Sequence, residues 1–330
     1  MVVAAEAVPL TAPPPFARLA RRVRGGASRV VRSRWAPRLV RDPIVGWRWS
    51  RAASRALRVP RRPETFNEKT LHKMAYDRRP LLATLSDKVA VREYVARAVG
   101  EQYLPELHLV TDDVDRVRRE VLPRDVAVKA SHGSGGCVLI AGFAPLERRL
   151  PTPPAGWPRL LVHPDAVDWD TLRALCGEWL GARYGYWEWP YRDLPARILA
   201  EELLREGEAI ARDFKVFVFH GRARVVSVDH DRFVRHVRSL YTPEWERVPF
   251  ELKFPAGPDV ERPAALGEMI AIAERLARET DFLRVDLYAP GARIVVGELT
   301  SFHGAGLEEF RPASYDRWLG SSWTPPKRYR

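Results

Sequence analysis

Apolar residues recur at helical spacing in three stretches of the chain. In FNEKTLHKMAY (66–76) they fall three and four positions apart, which predicts a helix with Asn67 as its N-cap. The same spacing in SDKVAVREYVARAVG (86–100) predicts a helix that Ser86 caps. In RPAALGEMIAIAERLARE (262–279) it predicts an amphipathic helix with an inward face made of Leu266, Met269, Ile270, Ala273 and Leu276.

Shorter apolar runs with a period of two predict strands, and most of these strands form pairs around a turn. DVAVKA and CVLIAG flank the loop SHGSGG, and FLRVDLY and RIVVGELT flank an Ala-Pro-Gly turn. DFKVFVF and ARVVSVD flank a turn at residues 220–222. Such hairpins, mixed with helices and without an internal repeat, favour an α+β fold over a doubly wound parallel sheet.

Composition indicates where the protein works. The chain is 46% hydrophobic and has no apolar run near the ~20 residues of a spanning helix, which is typical of a soluble globular protein. The first twenty residues contain an acid and several prolines, where a secretory signal needs a continuous apolar core. Two cysteines, Cys137 and Cys176, make no disulfide framework and fit a reducing compartment. We therefore expect a cytoplasmic protein.

Positive charge is concentrated in residues 1–62, here called the basic arm. The arm holds fifteen arginines, no lysine, one Glu and one Asp, so its net charge is +13. The net charge of the whole chain is +12, so the remaining residues together carry −1. Three interpretations stay open. The arm is a solvated leader, it binds an anionic membrane surface or an acidic polymer, or it binds nucleic acid. Nucleic acid is not the expected partner because no nucleic-acid-binding module is visible. A membrane-binding arm would place the protein at the inner face of the membrane.

Lysine is rare, with seven residues against 47 arginines, so each lysine is informative. A compact ammonium is retained where a point charge is needed, for example on a phosphate. Lys129 begins the stretch KASHGSGG (129–136), whose glycines would let backbone N–H groups approach an anion. A Walker loop would instead place the lysine after the glycines. The stretch is a candidate phosphate-binding loop, and a flexible hairpin without a ligand is the alternative.

Two predicted strands carry acidic residues on one face. Alternation places Arg284 and Asp286 together in FLRVDLY, and Glu298 and Thr300 together in GELT. If the strands pair, Asp286 and Glu298 lie close, although not directly across from each other. Two carboxylates and a hydroxyl are hard-oxygen ligands suited to a Mg²⁺ ion that bridges phosphates. The alternative is a solvated polar face with an Arg–Asp pair.

A third cluster surrounds Lys215, which lies within the apolar stretch DFKVFVF, where a buried ammonium needs a partner. Asp213 shares its strand face, and Arg232 follows the next strand. The alternative is a surface pair between Lys215 and Asp213.

In this order the motifs resemble those of the ATP-grasp superfamily, and most closely its TupA-like group, named for teichuronopeptide synthesis. The resemblance runs from about Pro63 to Gly320 and rests on TFNEK, SDKVAVREYV, KASHGSGG, WEWPYRDLPARILAEELL, DFKVFVFHG, FLRVDLY and GELTSFHGAG. It implies an α+β ATP-grasp fold, in which two α+β subdomains clasp ATP. The expected parts are the basic arm, a small helical region (63–112), a central subdomain with the glycine-rich loop (113–204) and a C-terminal subdomain with the metal site (205–330).

The resemblance also implies the activity, an ATP- and Mg²⁺-dependent carboxylate–amine ligase that works through an acyl phosphate. Its partners would be ATP, a carboxylate substrate and an amine substrate, in the synthesis of a cell-surface polysaccharide or polymer or of a peptide-like metabolite. A kinase of a small-molecule or sugar hydroxyl and a non-catalytic basic adaptor are the alternatives.

By the same resemblance each motif contributes to the site. Lys88 and Lys129 would contact phosphates and the glycine-rich loop would cover them. Asp213 is a candidate for the ribose, with Glu206 and Glu208 as competing candidates. Family members often have Asn where Thr300 stands, and a hydroxyl can also ligate Mg²⁺. The implied ATP-binding residues are Lys88, Lys129, His132, Gly133, Ser134, Gly135, Gly136, Glu201, Glu202, Leu203, Leu204 and Asp213. The implied catalytic residues are Arg284, Lys215 and Arg232, and the implied metal ligands are Asp286, Glu298 and Thr300.

Overall fold

The computed structural model describes residue 60 and residues 62–152, 156–184, 188–230, 236–291, 293–327 and 329. Arg232 and almost the whole basic arm lie outside the described residues. The helices are α1 (Phe66–Tyr76), α2 (Leu81–Ser86), α3 (Ala90–Ala98), α4 (Trp169–Gly181), α5 (Leu266–Leu276) and α6 (Ser314–Ser321). The strands are β1 (Leu107–Thr111), β2 (Val126–Ala130), β3 (Cys137–Ile140), β4 (Arg159–Val162), β5 (Ile198–Glu202), β6 (Arg205–Glu206), β7 (Ala209–Ile210), β8 (Asp213–Phe219), β9 (Arg222–His230), β10 (Val237–Tyr241), β11 (Glu251–Leu252), β12 (Phe282–Tyr288), β13 (Val295–Thr300) and β14 (Phe310–Arg311).

The first of two five-stranded sheets has the order β1-β5-β2-β3-β4. Its pairs are antiparallel except for β3 and β4, which run parallel. Alternation along β2 sends Val126 and Val128 into a core with Leu172 and Trp179 of α4. Because β2 has a period of two, its Lys129 lies on the opposite face, away from α4.

The second sheet has the order β10-β9-β8-β12-β13 and is antiparallel throughout. One face, which includes Val216 and Val285, packs on α5 and on residues of α2 and α3. Part of the other face carries Phe217, Phe219 and Phe282, which pack with Phe66 of α1 in a second core. The predicted hairpins β8–β9 and β12–β13 are confirmed, and so is the α+β class.

Three local predictions need correction. Thr65 caps α1 through a capping box with Glu68, and Asn67 instead donates to Asp316 Oδ2 at 2.9 Å. Ser86 is the last residue of α2 and caps no helix, because the non-helical residues 87–89 separate α2 from α3. In α5 the fifth buried residue is Ile272, which takes the inward position expected for Ile270.

Lys73 of α1 is fully buried and forms an ion pair with Asp77 at 3.0 Å and a second one with Asp281. Lys69, on the same helix, donates to the main-chain oxygens of Gly320 at 2.8 Å and Trp323 at 2.6 Å. Lys69 therefore fixes α1 to the segment around Gly320 and Trp323, and Lys73 fixes it to the residue before β12. Among the described residues, no helix combines the length and the apolar character that crossing a bilayer requires.

Candidate active site

The face of the second sheet that carries the phenylalanine core is charged along the rest of its length. Lys215 precedes Phe217 by two residues on β8, and Arg284 follows Phe282 by two residues on β12. Because side chains alternate along a strand, each of these cations shares a face with the phenylalanine next to it. The sequence thus divides one sheet face into an apolar part under α1 and a charged part beside it.

Arg284, Asp286 and Glu298 form a hydrogen-bonded group in the charged part. Arg284 Nε donates to Asp286 Oδ1 at 2.6 Å, and its Nη2 donates to Asp286 Oδ2 at 2.7 Å and to Glu298 Oε2 at 3.3 Å. Arg284 Nη1 also lies 2.8 Å from His303 Nδ1. Since a guanidinium can only donate, His303 Nδ1 accepts this bond and the imidazole is neutral.

Asp286 and Glu298 stand directly opposite each other on β12 and β13, so the expectation of an offset pair is wrong. The pairing register shifts between Asp286 and Leu287, at a bulge beside Gly297. A Cβ atom at Gly297 would collide with the Tyr288 ring, so a residue without a side chain is needed there. The bulge therefore brings the two carboxylates side by side.

A row of buried charges continues from Asp286 across the sheet. Lys215 Nζ donates to Asp213 Oδ2 and to Asp286 Oδ2, each at 2.6 Å, and lies 3.8 Å from Asp229. Arg238 donates to both oxygens of Asp229, at 2.6 and 3.1 Å. Lys215 is 5% exposed, so the alternative of a surface Lys–Asp pair is wrong. Buried charges need such pairing because an isolated ion would lose its hydration.

The glycine-rich loop connects β2 and β3 of the first sheet. Gly135 (φ +96°) and Gly136 (φ +55°) have left-handed backbone conformations that favour glycine. An added Cβ would lie 2.8 Å from the Trp157 ring at Gly133 and 2.6 Å from it at Gly136. The loop therefore packs on this tryptophan, and small residues permit the close approach.

Two side chains hold the loop from opposite directions. His132 Nε2 lies 2.9 Å from the Trp179 carbonyl oxygen, which fixes the start of the loop to α4. Lys88 lies in the turn before α3, where its main-chain N–H donates to the Ser131 oxygen at 3.1 Å and its ammonium donates to the Gly133 oxygen. A predicted phosphate-binding lysine thus contacts the predicted phosphate-binding loop.

A cavity lies between the two sheets and is lined by Lys88, Glu201 and Glu298, among others. Glu201 is in turn paired with Lys129. Residues predicted from four separate motifs, carried by both sheets and by the turn before α3, therefore meet around one cleft, a name used below for this cavity and its walls.

The cleft holds Glu298 as an anion. Burial alone raises the pKa of this carboxyl, but Lys88, Arg284, Arg159 and Lys215 outweigh burial and lower the pKa to about 2. Glu298 is therefore ionised at neutral pH.

The two lysines of the cleft differ in their surroundings. Burial lowers the pKa of Lys88, and the positive charge of Lys129 lowers it further, while Glu298 opposes both. For Lys129 burial is the largest single effect and acts in the same direction, but Glu201, Cys137 and Tyr288 together outweigh it and raise the pKa. The charge of Lys129 is thus neutralised by its ion pair with Glu201, whereas the charge of Lys88 is not neutralised by an ion pair with any described residue.

The other predicted site residues have these positions. Glu202 pairs with Arg293 at 2.8 Å, Leu203 is buried and Leu204 is half-buried in the segment that leads from the first sheet to the second. Ser134 is half-buried in the loop. The assigned roles of these residues, including the ribose role of Asp213, stay predictions.

Sequence reasoning missed several residues around the cleft. Glu188 has a pKa raised to about 7, first by burial and then by Glu298. Tyr184 packs on Trp157 at 5.2 Å, and Arg159 acts electrostatically on Glu298. Glu188 lies in the stretch WEWPYRDL, so its acidic character was a usable signal. Nothing in the local sequence distinguishes Arg159 from the other arginines.

The carboxylates fit a magnesium ion that arrives with a nucleotide. Within the described part of the chain, no three His, Cys, Asp or Glu side chains form a ready-made metal cage. Glu298 is ionised, lines the cavity and accepts one long hydrogen bond, whereas both oxygens of Asp286 accept short ones. Thr300 pairs with Arg284 in the sheet. Because Mg²⁺ commonly binds one or two carboxylates and completes its shell with phosphate oxygens and water, this donor set suits it.

One known protein family matches part of the chain. Residues 183–324 match the family model described as TupA-like ATPgrasp. This segment contains β5 and all strands of the second sheet, and hence Lys215, Arg284, Asp286 and Glu298. The match confirms the resemblance predicted from the sequence for this segment. No curated protein matches the chain.

Solved structures that are similar to the chain include three ATP-grasp or amino-acid ligases. They are the ATP-grasp ligase PsnB complexed with a phosphomimetic variant of its minimal precursor, Mg and ADP (14% identity, 68% of this chain and 52% of that chain, TM-score 0.38), the D-alanine–D-alanine ligase from Bacillus anthracis (14%, 67% and 59%, 0.37) and the L-amino acid ligase from Bacillus licheniformis (15%, 78% and 48%, 0.37). The chain thus spans about half the length of these structures. All three TM-scores lie below 0.5, so these likenesses carry no weight for the function of the chain.

Proposed function

Because residues 183–324 match the family model of the TupA-like ATP-grasp proteins, we propose that the chain is an ATP- and Mg²⁺-dependent carboxylate–amine ligase. One observation carries the proposal. Lys88, Glu201 and Glu298, from motifs on both sides of the molecule, line a single cavity between the two sheets. Phosphoryl transfer requires positioning and charge neutralisation more than covalent participation, and this cleft supplies fixed charges of both signs.

The first half-reaction would transfer a phosphoryl group. An oxygen of the substrate carboxylate attacks the γ-phosphorus of ATP, the bond to the β–γ bridging oxygen breaks, and ADP leaves with that electron pair. Lys88, Lys129 and the loop 132–136 would hold the phosphates. Arg284 and Lys215 would stabilise the charge of the group in transfer, since both are cations fixed by carboxylates. Arg232 is assigned to the same role by resemblance alone.

Asp286, Glu298 and Thr300 would hold Mg²⁺. When bound, the ion would neutralise charge on the phosphate oxygens. The residues themselves contribute a preformed anionic pair, because Asp286 stays fixed by Arg284 and Lys215 while Glu298 faces the cavity.

In the second half-reaction the amine nitrogen attacks the acyl carbon. The carbon–oxygen bond to phosphate breaks, inorganic phosphate leaves and the nitrogen loses a proton, which gives an amide. Because water would hydrolyse an acyl phosphate, this reaction requires that water be excluded from the cleft while the intermediate is present. The proposal extends to the synthesis of a cell-surface polymer or a peptide-like metabolite, as the family resemblance implies.

The proposal places the enzyme in the cytoplasm, where ATP and two unpaired cysteines are both expected. The basic arm would hold it against an anionic membrane surface or an acidic polymer. This role of the basic arm is supported by its composition. The arm has a charge of +13 in 62 residues and contains Trp35, Trp47 and Trp49, which suits an anionic interface.

Titration calorimetry with Mg·ATP, followed by a hydroxylamine trap, tests the function. A library of amino acids and sugar acids is incubated with enzyme, Mg·ATP and hydroxylamine, and hydroxamate is detected by its ferric complex. We expect Mg·ATP binding and a hydroxamate with some of the carboxylates, because an acyl phosphate reacts with hydroxylamine. Absence of Mg·ATP binding would refute the proposal. A stable phosphorylated product without hydroxamate would identify a kinase instead.

A further inference from the structure

His303 lies in the segment that follows β13, and its side chain contacts the guanidinium of Arg284. Arg284 Nη1 donates to His303 Nδ1 at 2.8 Å, whereas its Nε and Nη2 donate to Asp286 and Glu298. These four bonds use four of the five N–H groups of the guanidinium. The described residues therefore leave the fifth N–H group, which belongs to Nη1, for a ligand.

The imidazole of His303 is held by the phenylalanine core of the second sheet. The side chain is buried, and its ring lies edge-on to the Phe217 ring, with 4.9 Å between the two centroids. The Phe66 ring of α1 lies 6.0 Å away. Because buried side chains are close-packed, these neighbours restrict rotation of the imidazole. The core thus fixes the imidazole, and the imidazole fixes Nη1 of the guanidinium.

The backbone after His303 keeps the imidazole in this position. Gly304 and Ala305 both have left-handed conformations (φ +56° and +53°), which turn the chain sharply. A Cβ atom at Gly306 would lie 2.8 Å from the main-chain oxygen of Asn67 on α1, so the segment packs closely on that helix. The helix α1 therefore supports both the phenylalanine core and the segment that carries His303.

His303 is a neutral acceptor, which distinguishes it from the other partners of Arg284. Burial and the positive charge of Arg284 both lower the pKa of His303 well below its ordinary value, so the ring stays neutral at neutral pH. Asp286 and Glu298 accept from Nε and Nη2, so among the described residues the orientation of Nη1 depends on His303. An imidazole orients this nitrogen without neutralising the cation, whereas a third carboxylate would cancel its charge.

We propose that His303 is a positioning residue for Arg284 and directs the remaining Nη1 N–H group at the γ-phosphate of ATP; this inference rests on the proposed function. A preorganised donor stabilises the charge of the phosphoryl group in transfer without reorganisation during the reaction. Since the proposed function assigns Arg284 to the group in transfer, the effect of His303 should appear with a γ-phosphate and not with ADP.

Calorimetry on the full chain tests this role with Mg·AMPPNP and Mg·ADP as probes. His303→Phe keeps a buried ring and removes the acceptor, whereas His303→Asn keeps an acceptor and removes the ring. A double-mutant cycle combines His303→Phe with Arg284→Gln. His72→Phe is the matched control, because this histidine of α1 packs instead on the Tyr76 ring, at 4.6 Å between the centroids. Urea unfolding checks that each variant is folded.

We expect His303→Phe to weaken Mg·AMPPNP binding about 10-fold, as for the loss of one hydrogen bond to a charged group, with Mg·ADP binding unchanged. His303→Asn should keep most of the affinity for Mg·AMPPNP, although it lowers stability because it leaves a cavity in the core. In the Arg284→Gln background His303→Phe should have no further effect, since His303 acts through that guanidinium.

Wild-type affinity for Mg·AMPPNP in His303→Phe would overturn the inference and leave the proposed function intact. An equal loss for Mg·ADP, an equal loss in His72→Phe or additive losses in the double variant would also overturn it. A loss in His303→Asn as large as in His303→Phe would mean that the ring only packs, and would overturn it too. If His303→Phe does not fold, His303→Leu, which also lacks the acceptor, replaces it in each comparison. A wild type that binds no Mg·AMPPNP would instead refute the proposed function, and the inference with it.

Discussion

Replacement of Glu298 by glutamine removes a charge that the surrounding cations stabilise. The pKa of Glu298 is about 2, against an ordinary value of 4.5, because the four cations Lys88, Arg284, Arg159 and Lys215 outweigh burial. At about 1.4 kcal/mol per pKa unit, this difference corresponds to about 3 kcal/mol in favour of the ionised, folded state. Glutamine has the same shape and forfeits this stabilisation.

The direction of the pKa shift determines how the stabilisation by Glu298 depends on pH. Because the folded pKa is depressed, the stabilisation is complete above the unfolded pKa near 4.5 and is lost as the pH falls towards about 2. The difference in free energy of unfolding between the wild type and Glu298→Gln should therefore shrink by about 1 kcal/mol between pH 7 and pH 4, and by about 1.5 kcal/mol at pH 3.5. Urea unfolding at a series of pH values, in the presence of a chelator, measures it.

The matched control is Glu208→Gln, which removes an exposed carboxylate from the β6–β7 turn that is not among the groups acting on Glu298. A difference between wild type and Glu298→Gln that stays constant from pH 7 to pH 3.5 would refute the reasoning. It would mean that the cations around the cleft do not act on this carboxylate.

Three further substitutions separate binding from stability. Lys88→Met should weaken Mg·ATP binding about 10- to 100-fold in calorimetry. The variant should lose no stability, since burial already disfavours this cation. A similar loss of affinity in the control Lys253→Met would contradict the assignment. Gly136→Ala should lower the free energy of unfolding by about 1–3 kcal/mol, because alanine would adopt φ +55° against a tryptophan ring; an unchanged midpoint in urea would contradict the packing. Lys73→Met should cost about 3 kcal/mol, because it removes the buried cation between Asp77 and Asp281 and leaves only the partly exposed Arg79 beside them, while Mg·ATP affinity stays unchanged. A stable Lys73→Met variant with impaired binding would move this lysine into the site.

Local patterns in the sequence were sufficient to predict the hairpins that carry the site. The turn at His220 and Gly221 has two positive φ angles, so residue type alone pointed to it. Period-two alternation likewise placed Arg284 and Asp286 on one face. These features depend on neighbours in the chain, which a pattern can report.

Features that depend on distant segments could not be predicted in the same way. The direct pairing of Asp286 with Glu298 requires a bulge, and at this bulge the Tyr288 ring leaves no room for a side chain on Gly297. Arg159 shares a sheet face with Lys129 only because β4 pairs in parallel with β3 in this register. The rarity of lysine was a guide of mixed value, since Lys88 lines the cleft whereas Lys69 and Lys73 fix α1.

The account depends on one pocket for magnesium and triphosphate between the two sheets. A crystal structure of the full chain with Mn²⁺ and AMPPNP tests it most directly, because the anomalous signal of manganese locates the metal independently of the nucleotide. We predict a manganese peak at the carboxylate of Glu298 and a triphosphate in contact with Lys88 and Lys129. A metal or a triphosphate bound elsewhere, with the space between Lys88 and Glu298 filled by solvent, would contradict the account.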